Sequence, residues 1–196
     1  MKKSLLWVIG LLVSASFVAV SCDETNTAVD PYADWELRNQ NYLDSISKVA
    51  KSNPEQWKVI HTYKFNAPVG DLDFNVNDYV YCKVLEEGTG TIKPYYTDSV
   101  TVHYRGSLIP LADGTKVVFD ETYRGEFNKD VAVPVGLAVD AVIEGWTTAL
   151  QEMREGDRWE VYIPFGMAYG DRGSSSVPGY STLIFDMSLA KIYTNR

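Results

Sequence analysis

A chain of 196 residues, 45% of them hydrophobic, is long enough for one well-buried core plus an extension. Its formal net charge of −8 argues against nucleic acid and against polybasic attachment to lipid headgroups. Two cysteines and two histidines without metal-ligand spacing, and no Gly-rich phosphate loop ahead of a helix, leave no cofactor or metal expected.

Lys2 and Lys3 precede an apolar run from Leu5 to Val20, too short for a membrane span and suited to a signal peptide over 1–21. The run ends in Ala19-Val20-Ser21-Cys22, which resembles a bacterial lipobox. That resemblance implies cleavage before Cys22 and lipid on its sulfur and new amine. The protein would then sit lipid-anchored in the bacterial cell envelope, on the periplasmic or the outer surface. Without Lys2 and Lys3 the formal charge moves from −8 to −10. With Cys22 acylated, Cys82 has no disulfide partner and reads as a buried, inert thiol.

Residues 22–78 read as a tether and a helical extension. Asp30-Pro31 has the form of an N-cap followed by Pro at the first helical position. Trp35, Tyr42, Leu43, Ile46, Val49 and Ala50 follow at helical spacing, and Asn53-Pro54 ends the pattern. This predicts a helix over 31–51. Its apolar stripe either docks on the main domain or pairs with a second copy, giving a homodimer. Trp57 to Phe65 reads as a strand. Residues 67–78 hold Pro, Gly, Asp and Asn and read as a loop, which places the domain boundary at 78/79.

The domain over 79–196 begins with a strand from Tyr79 to Glu86. Ser99 to Leu108 alternates, with Val100, Val102, Tyr104 and Leu108 on one face and Thr101, His103, Arg105 and Ser107 on the other. His103 is therefore expected on the solvent side, without a catalytic role. Val117 to Phe119 and Val131 to Val135 read as short strands, the latter carrying Pro134 and so at an edge or bulge. Trp146, Ala149, Leu150 and Met153 share one helical face, and Gly156 is expected to cap that helix. Arg158 to Ile163 and Leu183 to Ile192 are the last strands. The sum is an α+β pattern of antiparallel strands and one short helix behind a helical extension.

Six short motifs then occur in order. They are Val102-His103-Tyr104-Arg105-Gly106, Val118-Phe119-Asp120, Val142-Ile143-Glu144-Gly145-Trp146, Gly156-Asp157, Ala168-Tyr169-Gly170 and Leu183-Ile184-Phe185-Asp186. Each alone is weak. Together, over roughly residues 79–193, they resemble the FKBP-type peptidyl-prolyl cis-trans isomerases. The resemblance implies a twisted antiparallel β-sheet wrapped around the short α-helix, with a pocket between them. It further implies Trp146 as the floor beneath a proline ring and Tyr104, Phe119 and Phe185 as walls. Val142 and Ile143 would form the edge, the Ile143 N–H meeting a bound carbonyl. Asp120 would be the acidic group and the Tyr169 hydroxyl would stand at the rim. Phe127 would replace an aromatic found near Val131 in other members. The Gly/Ser-rich segment after Tyr169, with Pro178, would be a mobile flap. Clients would be proline-containing polypeptides, and a macrolide inhibitor would compete for the same site.

Read one at a time, several of these residues have plainer explanations. Trp146 on a buried helix face is ordinary core, as are Tyr104 and Phe185 on strands. Asp120 discriminates better, because an acid after an apolar strand needs partners, with Tyr104 and Arg124 as candidates. Two other functions use the same residues. A non-catalytic peptide-binding or chaperone lipoprotein would keep the pocket, and a glycan-associated surface protein would use the aromatics for stacking. Asp120, Trp146 and Tyr169 together favour the isomerase over the first. Aromatics on core-facing positions disfavour the second.

Overall fold

The computed structural model describes residues 30–64 and 75–194, in the order α1 (Trp35–Ser52), β1 (Trp57–His61), β2 (Tyr79–Glu86), β3 (Ser99–Leu108), β4 (Val118–Glu121), β5 (Val135–Ala138), α2 (Glu144–Leu150), β6 (Arg158–Ile163) and β7 (Leu183–Tyr193). The signal segment, Cys22 and most of the loop over 67–78 lie outside the described residues. Every strand pair is antiparallel, and the sheet order is β1-β2-β6-β7-β3. The far edge of β3 is shared. Its first half, Ser99–Val102, pairs with β5, and Arg105–Ser107 pairs with β4.

The apolar runs of β2, β6 and β7 supply the core from the sheet, and α2 supplies it from the helix. Residues Gly145 to Leu150 are all buried, against β2 and β6 among others. Gly145 lies against Ile163 with no room for a Cβ, so the helix backbone comes close to the sheet. Cys82 is fully buried, and burial pushes its thiol well above the ordinary range, so it is a packing residue.

The extension is part of the same core. α1 buries Trp35, Asn39, Leu43, Ser47 and Ala50 against β1 and β2, and β1 pairs with β2 over five residues. Docking, rather than pairing with a second copy, therefore takes up the stripe. Val49, expected in it, is exposed, while the polar Asn39 and Ser47 replace it on the buried face. Among the described residues no helix is long and apolar enough to cross a membrane.

Four local expectations change. The helix starts at Trp35 rather than at 31, because Asp30 closes a turn instead. Its carboxylate accepts from Tyr32 N at 2.9 Å and its carbonyl from Ala33 N at 3.0 Å. β1 ends at His61: Thr62 N closes the pairing with β2 by donating to Asp78 O, and the Thr62 hydroxyl turns away to donate to Glu144 on α2. The strand read at 131–135 is a turn about Asn128 followed by open chain, with Val131 and Val133 each 76% exposed. Pro134 has no N–H, and the edge of β3 beside β4 has room for a partner only at Ser99–Val102, which takes Val135–Ala138. Finally, α2 ends at Leu150, and Gly156 serves a separate turn, at φ 92, packed on Gly88.

Candidate functional site

The shared edge of β3 builds the site. Gly106 pairs with Asp120 and Ser107 with Val118, which leaves Phe119 as the extra residue of a β-bulge. The bulge turns Phe119 toward β7, where its ring meets Phe185 at 5.6 Å and 88°. Both rings lie over Gly106. A Cβ there would stand 2.7 Å from each ring, so only glycine lets the pair settle on the strand.

Two further rings complete an edge-to-face set. Trp146 on α2 stands 5.1 Å from Phe185 at 88° and 4.9 Å from Tyr104 at 85°. These four rings enclose a cavity of about 240 Å³, together with Asp120, Leu137, Ala141, Val142, Ile143 and Tyr169. That is small beside the roughly 300–1,000 Å³ of sites that swallow a drug-sized ligand. It suits one ring of a polypeptide.

The polar groups sit at the mouth. The Tyr104 hydroxyl donates to Asp120 Oδ2 at 2.7 Å. Burial, then this bond to a carboxylate, holds the Tyr104 phenol far above its ordinary range, so it stays a donor. Tyr169 is 40% exposed, and burial followed by the Asp120 charge raises its phenol as well. The Ile143 N–H has no backbone acceptor among the described residues, while its carbonyl accepts from Trp146 N at 2.9 Å and starts α2. The indole Nε1 of Trp146 is buried without a partner among the described residues.

All eight pocket residues expected from the sequence, Tyr104, Phe119, Asp120, Val142, Ile143, Trp146, Tyr169 and Phe185, therefore meet at one cavity. Three expectations around them do not hold. Arg124 is not a partner of Asp120; it pairs with Glu121 at 3.1 Å. Phe127 lies on the opposite face of the sheet, against His103 at 5.3 Å and Tyr123 at 5.0 Å, and Leu137 of β5 lines the cavity instead. His103 is buried under Phe127 rather than solvent-facing, at 4% exposure, and does not line the cavity. Leu137 and Ala141 are lining residues that the sequence reading missed. The alternation of Val135 and Leu137 was the signal for Leu137; Ala141, in the turn over Val139–Ala141 beyond β5, had none.

The loop after Tyr169 is closed on itself rather than open. Gly170 N donates to Phe165 O, Tyr180 N to Gly170 O and Ser174 N to Val177 O, and Val177 is buried.

Comparison with known proteins decides what the arrangement belongs to. A family model described as FKBP-type peptidyl-prolyl cis-trans isomerase matches residues 90–190, half of the chain. The chain belongs to the FKBP family. Among curated FKBP relatives it is 45% identical over 112 residues to the Escherichia coli FKBP-type 22 kDa peptidyl-prolyl cis-trans isomerase, covering 56% of this chain and 48% of that one. It is 42% identical over 111 residues to the outer membrane protein MIP of Legionella longbeachae, covering 56% and 42%. The chain thus spans about half the length, or less, of these relatives. Solved structures extend the likeness beyond residues 90–190. A peptidyl-prolyl cis-trans isomerase from Pseudomonas syringae superposes with a TM-score of 0.55 at 25% identity, over 83% of this chain and 96% of that one. FkpA from Escherichia coli gives 0.55 at 26%, over 84% and 65%.

Proposed function

We propose that this FKBP-family chain catalyses cis–trans isomerisation of X–Pro bonds in polypeptide clients. The observation that carries the reading is the edge-to-face box of Tyr104, Phe119, Trp146 and Phe185 around a cavity of about 240 Å³. The reaction asks for little more. An X–Pro bond is held planar by amide resonance, with a barrier of roughly 18–20 kcal/mol. The planar amide is polarised and well solvated, while the twisted one is less so. A dry aromatic box favours the twisted form, because it denies water to the polarised one.

Each residue then has a part. Trp146 lies under the prolyl ring, and Phe119, Tyr104 and Phe185 hold its edges. The Ile143 N–H and the Tyr169 hydroxyl donate to carbonyls flanking the bond. Asp120 orients Tyr104 and keeps the mouth polar, without a proton-transfer step. A macrolide inhibitor of the family would occupy the same box.

The finer setting also belongs to the proposal. The lipobox ending in Cys22, and relatives with names such as outer membrane protein MIP, support a lipid-anchored protein of the bacterial envelope that assists folding there. Self-association through α1 would have to use Leu37 and Val49, the apolar side chains that the docked helix leaves exposed.

The test is a proline-isomerisation assay on the chain from Cys22 onward, with and without a macrolide inhibitor, and with Trp146→Leu. Activity that the inhibitor and the substitution both abolish is the expected result. Intact proline-peptide affinity with no isomerisation would make the protein a binding module instead.

A further inference from the structure

The loop that carries Tyr169 is held by α1, which precedes the residues 90–190 that the family model matches. Asn39, only 2% exposed, accepts from Thr182 N at 2.8 Å and donates through Nδ2 to Trp35 O at 2.7 Å. Trp35, one turn earlier, donates from Nε1 to Ser181 Oγ at 2.9 Å, and that hydroxyl donates to Pro178 O at 2.6 Å. The chain of bonds continues inward. Tyr180 N donates to Gly170 O at 3.0 Å, and its ring packs on Phe165 at 5.2 Å. Gly170 N donates to Phe165 O at 2.9 Å, and Gly173 N to Tyr169 O at 3.2 Å. Tyr169 therefore stands between two anchors, the end of β6 on one side and the α1-held pair Ser181 and Thr182 on the other.

Two features separate this from ordinary helix docking. Docking needs apolar area, which Leu43 and Ala50 already provide. A buried amide and a buried indole N–H add no apolar gain. What they add is register, because each is satisfied only when one loop atom is in place. The second feature is backbone conformation. Tyr180 sits at φ 60 and Asp34, the residue before Trp35, at φ 52. They are the non-glycine residues with left-handed backbone among those described, and both line one groove of about 500 Å³ between α1 and the loop. Such conformations persist only where surrounding contacts over-determine them. Here those contacts are the bonds through Trp35, Asn39, Ser181 and Thr182.

We infer that Trp35 and Asn39 are positioning residues, which set the Tyr169 loop over the pocket for turnover. The inference rests on the proposed role of the Tyr169 hydroxyl. The N-terminal extension then completes the site without touching the client. The pocket floor and walls do not depend on it, so its effect falls on turnover more than on the first encounter with a proline peptide.

The experiment uses the full chain. Asn39→Leu keeps the volume and removes the acceptor, and Ser181→Ala breaks the same clamp from the loop side without altering α1. Each is made alone and in a Tyr169→Phe background, with melting temperature and near-ultraviolet circular dichroism recorded for all. In the wild-type background kcat is expected to fall about three- to tenfold, the worth of one neutral hydrogen bond, with KM changing less. In the Tyr169→Phe background the same changes should cost less than about twofold. Equal losses in both backgrounds, or folded variants with unchanged kcat, would overturn the inference. Should the wild type show no isomerase activity, the functional proposal fails, and amide exchange decides the clamp separately. Asn39→Leu is expected to speed exchange at Gly170 and Gly173 while sparing α2, and unchanged exchange there would overturn it.

Discussion

The Tyr104 hydroxyl donates to Asp120 Oδ2 at 2.7 Å, so the carboxylate at the mouth of the pocket is tied to one of the pocket's own aromatic walls. Asp120 itself is exposed, so the bond is worth about 1 kcal/mol rather than the larger value of a buried charged pair. Tyr104→Phe keeps the ring and frees the carboxylate. It should lower kcat/KM several-fold with little change in proline-peptide affinity. Asp120→Asn should do about the same, and the double variant little more. Additive losses in that cycle would mean that the two groups act separately. Burial holds both Tyr104 and Tyr169 protonated beyond the ordinary tyrosine range, so kcat/KM should stay level from pH 7 to 9.

The second prediction concerns Gly106. Its missing Cβ is what allows Phe119 and Phe185 to lie over β3. Gly106→Ala should destabilise the chain by about 1–3 kcal/mol and weaken proline-peptide binding as well, since both displaced rings are pocket walls. Gly136→Ala is the control, because a Cβ there meets nothing within 4 Å among the described residues. Equal peptide affinity in the two variants would show that the rings relax without reshaping the box.

What could be read before the fold was known follows the physics of local pattern. Alternation along Ser99–Leu108 placed Tyr104 on the core face, and helical spacing placed Trp146 there. The order of the motifs then supplied Phe119, Tyr169 and Phe185. What could not be read depends on partners distant in sequence. Nothing near Val131 reveals that β4 already occupies the neighbouring edge of β3, so a Val-rich stretch looked like a strand. His103 alternates as a solvent residue should, yet Phe127 covers it from 24 positions away. Asn39 is an ordinary polar helix residue until Thr182 approaches it. The two left-handed residues, Asp34 and Tyr180, carry no glycine to announce them.

The third prediction separates the pocket from its support. All pocket residues follow position 78, so a chain beginning at Leu72 should still fold and keep the box, although α1 and β1 share its core. It also loses β1 as the partner of β2 and the buried side chains Trp35, Leu43 and Trp57. Burying those three contributes on the order of 5 kcal/mol, so the shortened chain should melt at clearly lower temperature. A melting temperature equal to that of the longer chain would mean that α1 and β1 only rest on the sheet.

The fourth concerns anchoring. Wild type expressed with its signal should partition into detergent, because two or more acyl chains hold a protein stably at a bilayer and one does so only marginally. Cys22→Ser should be unprocessed or soluble. A mature-sized Cys22→Ser protein that still fractionates with membranes would remove the lipid from Cys22.

The last prediction uses the buried histidine on the far face of the sheet. His103 lies under Phe127 with Nδ1 unpartnered among the described residues, and burial lowers its pKa from the ordinary value near 6.5. As pH falls, the unfolded chain takes up this proton before the folded one does. The stability that comes from keeping the ring neutral is therefore fully present above about pH 6.5 and is lost as pH falls from there toward the folded value. His103→Leu removes the proton uptake. Denaturant melts of both proteins at pH 7.5 and at 5.5 isolate this group from the carboxylates they share. The variant should gain on wild type at the lower pH. A stability difference that stays the same at both values would show that the imidazole reaches water and is charged in the fold.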